Sequence, residues 1–289
     1  MAATVKQCSG ITKSGRRCTL TSDSKMRNES GCLVAEPLRR GGCLCRFHAR
    51  PFVARPVEEP PSKAVVLYLD FETTGLDVTR DQIVEIGALE ALAGSAFASV
   101  VNAAAASRSD GAAVHGIDRA EIAQGPTFPE VWRRFVTFAE ELVNTTVADD
   151  SESSQDCSPR PCPALPAEPP VLVLAAHNGF RFDFAMLLCE CSRHGVSWAP
   201  LHRWLFVDTL SVHQATRPSC MKLQCLRREA ANGDGLRAHR ALDDCFALRA
   251  TTLHVAERLG LDLWRLLRGF AVALDGEASV AQVSLLLEG

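Results

Sequence analysis

Val65-Val66-Leu67-Tyr68-Leu69 is an unbroken apolar run that ends on Asp70-Phe71-Glu72-Thr73-Thr74-Gly75. A short apolar run bounded by turn residues reads as a strand buried on both faces, which requires a sheet covered by helices. Residues two apart along a strand point the same way, so Asp70 and Glu72 converge where the strand ends. Two acids there repel and are costly to desolvate unless something positive lies between them, and a divalent cation is the simplest candidate. The alternative is a solvated turn, since Asp and Thr-Gly are common turn residues.

The rest of the chain supplies the sheet that this strand needs. Residues 82–89, with apolar Ile83, Val84 and Ile86, predict a second strand, and residues 97–101 a third. Short connections between the three favour an antiparallel meander. Thr127-Phe128-Pro129-Glu130 opens an amphipathic helix to about residue 143, with Val131, Phe135, Phe138 and Leu142 on one face. Val171–Ala176 is apolar throughout and predicts a central fourth strand, followed by a helix over residues 182–194. A fifth strand at 205–207 and helices at 221–231 and 240–259 complete the pattern. The expectation is an α/β fold with a mixed five-stranded sheet and helices on both faces.

Residues 51–63 carry four prolines and read as a linker. A Ser-, Asp- and Pro-rich stretch at about 145–170 is expected to be a disordered surface insert. The chain thus divides into a Cys/His-bearing segment 1–50, the linker 51–63, a main domain 64–259 and a C-terminal helical extension 260–289.

Net charge is −3, but it is unevenly spread: residues 1–55 hold 11 Lys and Arg against 3 Asp and Glu, and the remainder holds 20 against 31. A basic head on an acidic body suggests that the head touches phosphates, with a solvated tail as the alternative. No apolar run approaches the ~20 residues that span a membrane, and Met1 to Gly10 lacks the apolar core of a secretory signal. The expected setting is intracellular, nuclear or cytoplasmic, with a mitochondrial address left open by the basic N-terminus. Five of the 12 cysteines fall in the first 45 residues. Without a secretory signal, a zinc site explains that clustering better than a disulfide framework. Cys189, Cys191 and Cys245 sit in apolar helical patterns and read as small core residues.

Two further segments carry acids at junctions between elements. His177-Asn178-Gly179-Phe180-Arg181-Phe182-Asp183 follows the central strand and puts Asp183 in the first turn of a helix, either as a ligand or as an ordinary N-terminal acid. His239-Arg240-Ala241-Leu242-Asp243-Asp244 follows a loop marked by Gly233 and Gly235. Five helical residues turn through roughly 500°, so His239 and Asp244 can face one site only if His239 lies on the loop or first turn. A structural histidine is the alternative there. Asp208, at the end of the fifth strand, is expected to cap a helix.

Taken together, the three segments resemble the DEDDh exonucleases, a family that includes the proofreading subunits of bacterial replicative polymerases, three-prime repair exonucleases and RNA-trimming enzymes. The Asp-x-Glu-Thr-Thr-Gly motif matches Asp70 to Gly75, the Asn-then-Asp motif matches Asn178 and Asp183, and His-x-Ala-x-x-Asp matches His239, Ala241 and Asp244. Ala113-Val114-His115-Gly116-Ile117 also looks like a family segment, of structural use. The resemblance implies an RNase H-like fold, two Mg²⁺ or Mn²⁺ ions, and hydrolysis of phosphodiester bonds at the 3′ ends of DNA or RNA. In it Asp70 bridges both metals, Glu72 and Asp244 complete one site, Asp183 serves the other, and His239 takes the proton from the attacking water. Thr73, Leu76 and Asn178 fall at substrate-binding positions. A polymerase or processing complex is an implied partner. A non-catalytic nucleic-acid-binding or adaptor protein on the same fold is the alternative function.

The N-terminal segment resembles a small zinc-binding module in which Cys-x-Gly-x-Thr-x-x-Gly-x-x-Cys precedes Cys-x-x-His. The resemblance implies one structural Zn²⁺ held by Cys8, Cys18, Cys45 and His48, with Cys43 or Cys32 as alternative ligands.

Overall fold

The computed structural model describes residues 35–37, 43–45, 51–103, 115–152, 169–216, 218, 220–230 and 240–288. They fall into two units, Met1–Val53 with Asp275–Gly289, and Ala54–Leu274. In the first, strands β1 (Ala35–Pro37) and β2 (Cys43–Cys45) pair antiparallel, with Ala35 opposite Cys45. The same unit ends in helix α8 (Gly276–Glu288), whose first turn is capped by Asp275, and Val53 donates its N–H to Ser279 Oγ at 2.9 Å.

The second unit is built on a seven-stranded sheet. Its strands are β3 (Ala54–Pro56), β4 (Ala64–Thr73), β5 (Ile83–Glu90), β6 (Ala96–Val100), β7 (Val171–Ala176), β8 (Leu205–Asp208) and β9 (Val272–Leu274), in the order β3-β9-β8-β7-β4-β5-β6. β4, β7 and β8 run parallel and the remaining pairs antiparallel. The helices are α1 (Arg119–Gln124), α2 (Phe128–Glu152), α3 (Asp183–Arg193), α4 (Thr209–Thr216), α5 (Leu223–Glu229), α6 (Ala241–Leu259) and α7 (Leu263–Leu267).

Strand register assigns the faces. Tyr68, Asp70 and Glu72 on β4 lie opposite Leu89, Gly87 and Glu85 on β5. This face is covered by α6: Thr252 bonds the buried Tyr68 hydroxyl, and Cys245 Sγ lies 3.3 Å from Gly87 O. Leu69, Ala88 and Phe97 share the other face. There α2 packs, with the Phe135 and Phe138 rings 5.6 and 5.7 Å from that of Phe97. Helices therefore lie on both faces, as the apolar strands require. The Tyr68 hydroxyl is buried deeply enough that losing its partner would cost about 1–3 kcal/mol.

The expected sheet of five strands is corrected to seven. Both added strands have three residues and lie at one side of the sheet, β9 inside what reads as a helical extension and β3 inside the proline-rich segment. Pro56 is tolerated because β3 is an edge strand, where a missing N–H faces no neighbour. Helix α2 also runs nine residues beyond the expected end at 143, to Glu152. Within that extension the Thr145 and Thr146 hydroxyls donate to Glu141 O and Leu142 O, each at 2.9 Å, so both side chains are satisfied inside the helix. Cys189, Cys191 and Cys245 are buried free thiols, as expected, whereas Cys220 and Cys225 form a disulfide leading into α5. No helix among the described residues is long and apolar enough to cross a membrane.

Candidate metal centre

Strand β4 delivers Asp70 and Glu72 to the sheet face under the start of α6, and the first turn of α6 delivers Asp244. Oxygen atoms from these three carboxylates lie within 4.8 Å of one another. Glu72 is buried, while Asp70 and Asp244 are partly open to solvent. Asp183 reaches the same neighbourhood from the start of α3. It is 3% exposed, and the backbone N–H groups of Asp183 itself and of Phe71, the residue between Asp70 and Glu72, favour its charged form.

The electrostatics are those of crowded acids, among which Arg240 only partly offsets the charge on Glu72. Burial, then the charges of Asp183, Asp244, Glu72 and Glu85, holds the Asp70 carboxyl well above the usual range. Burial and Asp244 push Glu72 up to about 8, with Glu85 and Asp183 adding to the effect. Burial raises Asp183 to about 7, with the charge of Asp208 adding to it against the lowering effect of backbone N–H bonds. A divalent cation would remove that repulsion. The donors are all hard carboxylate oxygens, a set that fits Mg²⁺ or Mn²⁺ better than a softer metal.

The turn that carries Asp183 is fixed from behind. Asn178 has φ 61°, a left-handed conformation that Asn tolerates better than most residues, and its N–H donates to Asp208 Oδ1 at 2.8 Å. Asp208 also accepts the N–H of Leu210 at 3.0 Å, which is the capping role expected of it. His177 bridges Thr209 Oγ1 and Met221 O, so it is a strut of this turn.

The loop after β4 is held by Asp81. Its carboxylate accepts the Thr74 hydroxyl at 3.0 Å and the Asp77 N–H at 2.8 Å. A Cβ at Gly75 would overlap that carboxylate, so a side chain there would displace Asp81 from these bonds. The loop presents Leu76, 86% exposed, at its tip, while Thr73 Oγ1 donates to Gly75 O at 2.7 Å.

Asp70, Glu72 and Asp244 are thus brought together with Asp183 adjacent, and Leu76 and Asn178 lie on the loops that follow β4 and β7. His239 lies outside the described residues. So do Cys8, Cys18, Cys32 and His48, and of Cys43 and Cys45 only the backbone, in β2, is described. His115, the described histidine of the 113–117 segment, is buried and accepts the Ile117 N–H at 3.0 Å, a structural use. Sequence reasoning missed Asp81, Glu85 and Arg240. For Glu85 the signal was present, as a charge flanked by the apolar residues Val84 and Ile86.

The exonuclease family model RNase_T matches residues 67–163, a span that includes Asp70 and Glu72 and stops short of Asp183 and Asp244. A DNA polymerase III subunit epsilon-like protein of Rhodobacter capsulatus is 40% identical over 92 residues, 30% of this chain and 13% of that protein. Exonuclease DPD1, chloroplastic/mitochondrial, of Arabidopsis thaliana is 29% identical over 226 residues, 75% of this chain and 64% of that protein. The chain therefore spans less than two thirds of either relative. Among solved structures, a 3′-exonuclease in a study of 3′-end-specific recognition of histone mRNA stem-loop aligns with a TM-score of 0.50 at 15% identity. It covers 74% of this chain and 68% of that one, a likeness of fold.

Proposed function

We propose that this chain is a divalent-metal-dependent 3′→5′ exonuclease that hydrolyses the terminal phosphodiester of a nucleic acid and releases nucleoside monophosphates. The observation that carries the reading is the convergence of Asp70, Glu72 and Asp244 within 4.8 Å, with Asp183 near enough to act on Asp70. Acids crowded and buried in this way destabilise a metal-free fold, and a module that only binds nucleic acid has no use for them.

Asp70, Glu72, Asp183 and Asp244 are the residues that would hold the cations. Two bound Mg²⁺ or Mn²⁺ ions would supply an acidified water and stabilisation of the leaving oxygen. His239, of a residue type that titrates near neutrality, is assigned the proton from that water. Leu76, exposed on its braced loop, is assigned to the terminal base, and Thr73 and Asn178 to positioning the terminal nucleotide. Residues 1–50, with Cys8, Cys18, Cys45 and His48 as zinc ligands, are assigned to recruiting the substrate. The name of the Rhodobacter relative supports a DNA end, and with it a polymerase-associated role.

The test is hydrolysis of 3′-labelled and 5′-labelled oligonucleotides by the full chain in Mg²⁺ and in EDTA. Single-stranded DNA, duplex DNA and RNA are assayed side by side. Stepwise loss from the 3′ end that requires the metal supports the reading. Tight binding without cleavage would favour the adaptor function, and release from the 5′ end would overturn the polarity.

A further inference from the structure

Glu85 is a buried acid beside the metal centre that the ligand set does not use. It is 3% exposed and stands directly across from Glu72 on the neighbouring strand. Two like charges in that position destabilise a strand pair unless one is neutralised. Arg240 does this: its Nε lies 3.1 Å from both Glu85 oxygens and its Nη2 donates to Oε1 at 2.6 Å. The second oxygen also accepts the Ala241 N–H at 3.0 Å. Both oxygens are therefore committed, and Glu85 acts as an anchor, not a fifth ligand.

What it anchors is the start of α6. Arg240 is the N-cap residue of that helix and gives it no side-chain cap, so Glu85 satisfies the orphan N–H of Ala241 from the neighbouring strand. Gly87, two residues along β5 on the same face, lies so close to α6 that a Cβ would overlap the backbone of Ala241 and Leu242. The helix thus rests directly on the strand. One turn further on, the N–H of Asp244 donates to Arg240 O at 3.0 Å, which ties the metal-facing acid to the anchored residue.

We propose that Glu85 and Arg240 form a latch that fixes the first turn of α6 on β5 and so holds Asp244 against Asp70 and Glu72. They are positioning residues of the metal centre, an inference that rests on the metal-dependent reading above. The bidentate fork suits the task because it fixes direction as well as distance, which a lysine point charge does not.

The experiment is Mn²⁺ binding by the full chain without nucleic acid, followed by electron paramagnetic resonance, with folding checked by near-ultraviolet circular dichroism. Arg240→Gln separates positioning from simple electrostatics by the sign of its effect. Removing a positive charge beside four acids should tighten Mn²⁺ binding if charge alone matters. The latch requires it to weaken binding, by roughly 10–100-fold, the range seen when partners of metal ligands are removed. Arg240→Lys keeps the charge but loses the fork, and should weaken binding in the same direction by a smaller factor. It also decides the matter if Arg240→Gln does not fold. Unchanged or tighter binding in a folded variant would overturn the latch while leaving the metal-dependent reading intact. Absence of Mn²⁺ binding by the wild-type chain would overturn that reading, and the latch with it.

Discussion

The backbone N–H of Phe71, the single residue that separates Asp70 from Glu72, acts on the Asp183 carboxylate and favours its charged form. An acid from the start of α3 thereby lies against the strand end that carries the other two, so Asp183 has a local polar setting as well as a place as a candidate ligand. The two roles separate by substitution. Asp183→Asn keeps an acceptor for Phe71 and relieves charge repulsion, so it should abolish hydrolysis while leaving the melting temperature of the metal-free chain unchanged or higher. Asp183→Ala removes the polar side chain that the Asp183 and Phe71 N–H groups face, and should abolish hydrolysis with a melting temperature below that of Asp183→Asn. Thermal melts in EDTA beside Mg²⁺ assays check both. More than a few per cent of activity in either variant would sink the ligand assignment.

The raised carboxyls give the metal-free protein an inverted pH dependence. Glu72 is held up to about 8 and Asp183 to about 7, both by burial first, with Asp244 and Asp208 respectively as neighbouring charges. From about pH 4.5 to 8 the folded chain keeps protons that the unfolded chain has released. Its stability therefore falls as pH rises through that window. Buried His213, held down to about 4, acts in the opposite sense, since the unfolded chain binds its proton first as pH falls. Comparison of wild type with Glu72→Gln isolates the acid. In EDTA the variant should lack part of the loss in melting temperature between about pH 5 and pH 8. Mg²⁺ should raise the wild-type melting temperature more at the higher pH. Parallel profiles for the two proteins would contradict the raised Glu72.

Replacing His239 tests the proton acceptor. His239→Ala should lower turnover by about 10²–10⁴-fold, the usual contribution of a general base. Substrate binding in Ca²⁺, where chemistry is arrested, should stay within a factor of about two, because the imidazole is assigned to the transition state alone. Single-turnover rates and a binding titration on the same oligonucleotide separate the two. Near-normal turnover at neutral pH would make His239 structural.

Much of the centre was legible because its signals are local. The parity of a strand puts Asp70 and Glu72 on one face, and an apolar Val171–Ala176 followed by a helix start puts Asp183 at a junction. What escaped depends on partners distant in sequence. Glu85 meets Arg240 across 155 residues, and an acid at an inward position of a largely apolar strand says that it has a partner without saying which. β3 and β9 pair with each other across more than 200 residues, and three-residue strands are too short to show a period. The helical stretch after residue 143 escaped for another reason: Thr145 and Thr146 read as loop residues until their hydroxyls are seen bonded within the helix.

The proposed N-terminal module is tested by truncation, and the structure decides where to cut. Phe52 is buried, and Val53 bonds Ser279 Oγ and the Asp275 N–H, so a deletion must stop before them. Residues 1–48 contain all four proposed zinc ligands together with Lys6, Lys13, Arg16, Arg17, Arg39, Arg40 and Arg46. A segment this small has little core, so a metal would be needed to fold it and hold those charges together. The acidic remainder cannot supply the same attraction for phosphates. Removing residues 1–48 should weaken substrate binding and flatten its salt dependence, by about 0.7–0.9 in the logarithmic slope for each phosphate that is no longer neutralised. Turnover at saturating substrate should change little, because such charges hold ground and transition states alike. Zinc measured by atomic absorption should fall from one per chain to none. An unchanged affinity and salt slope, with zinc gone, would assign the module to a protein partner instead of the substrate.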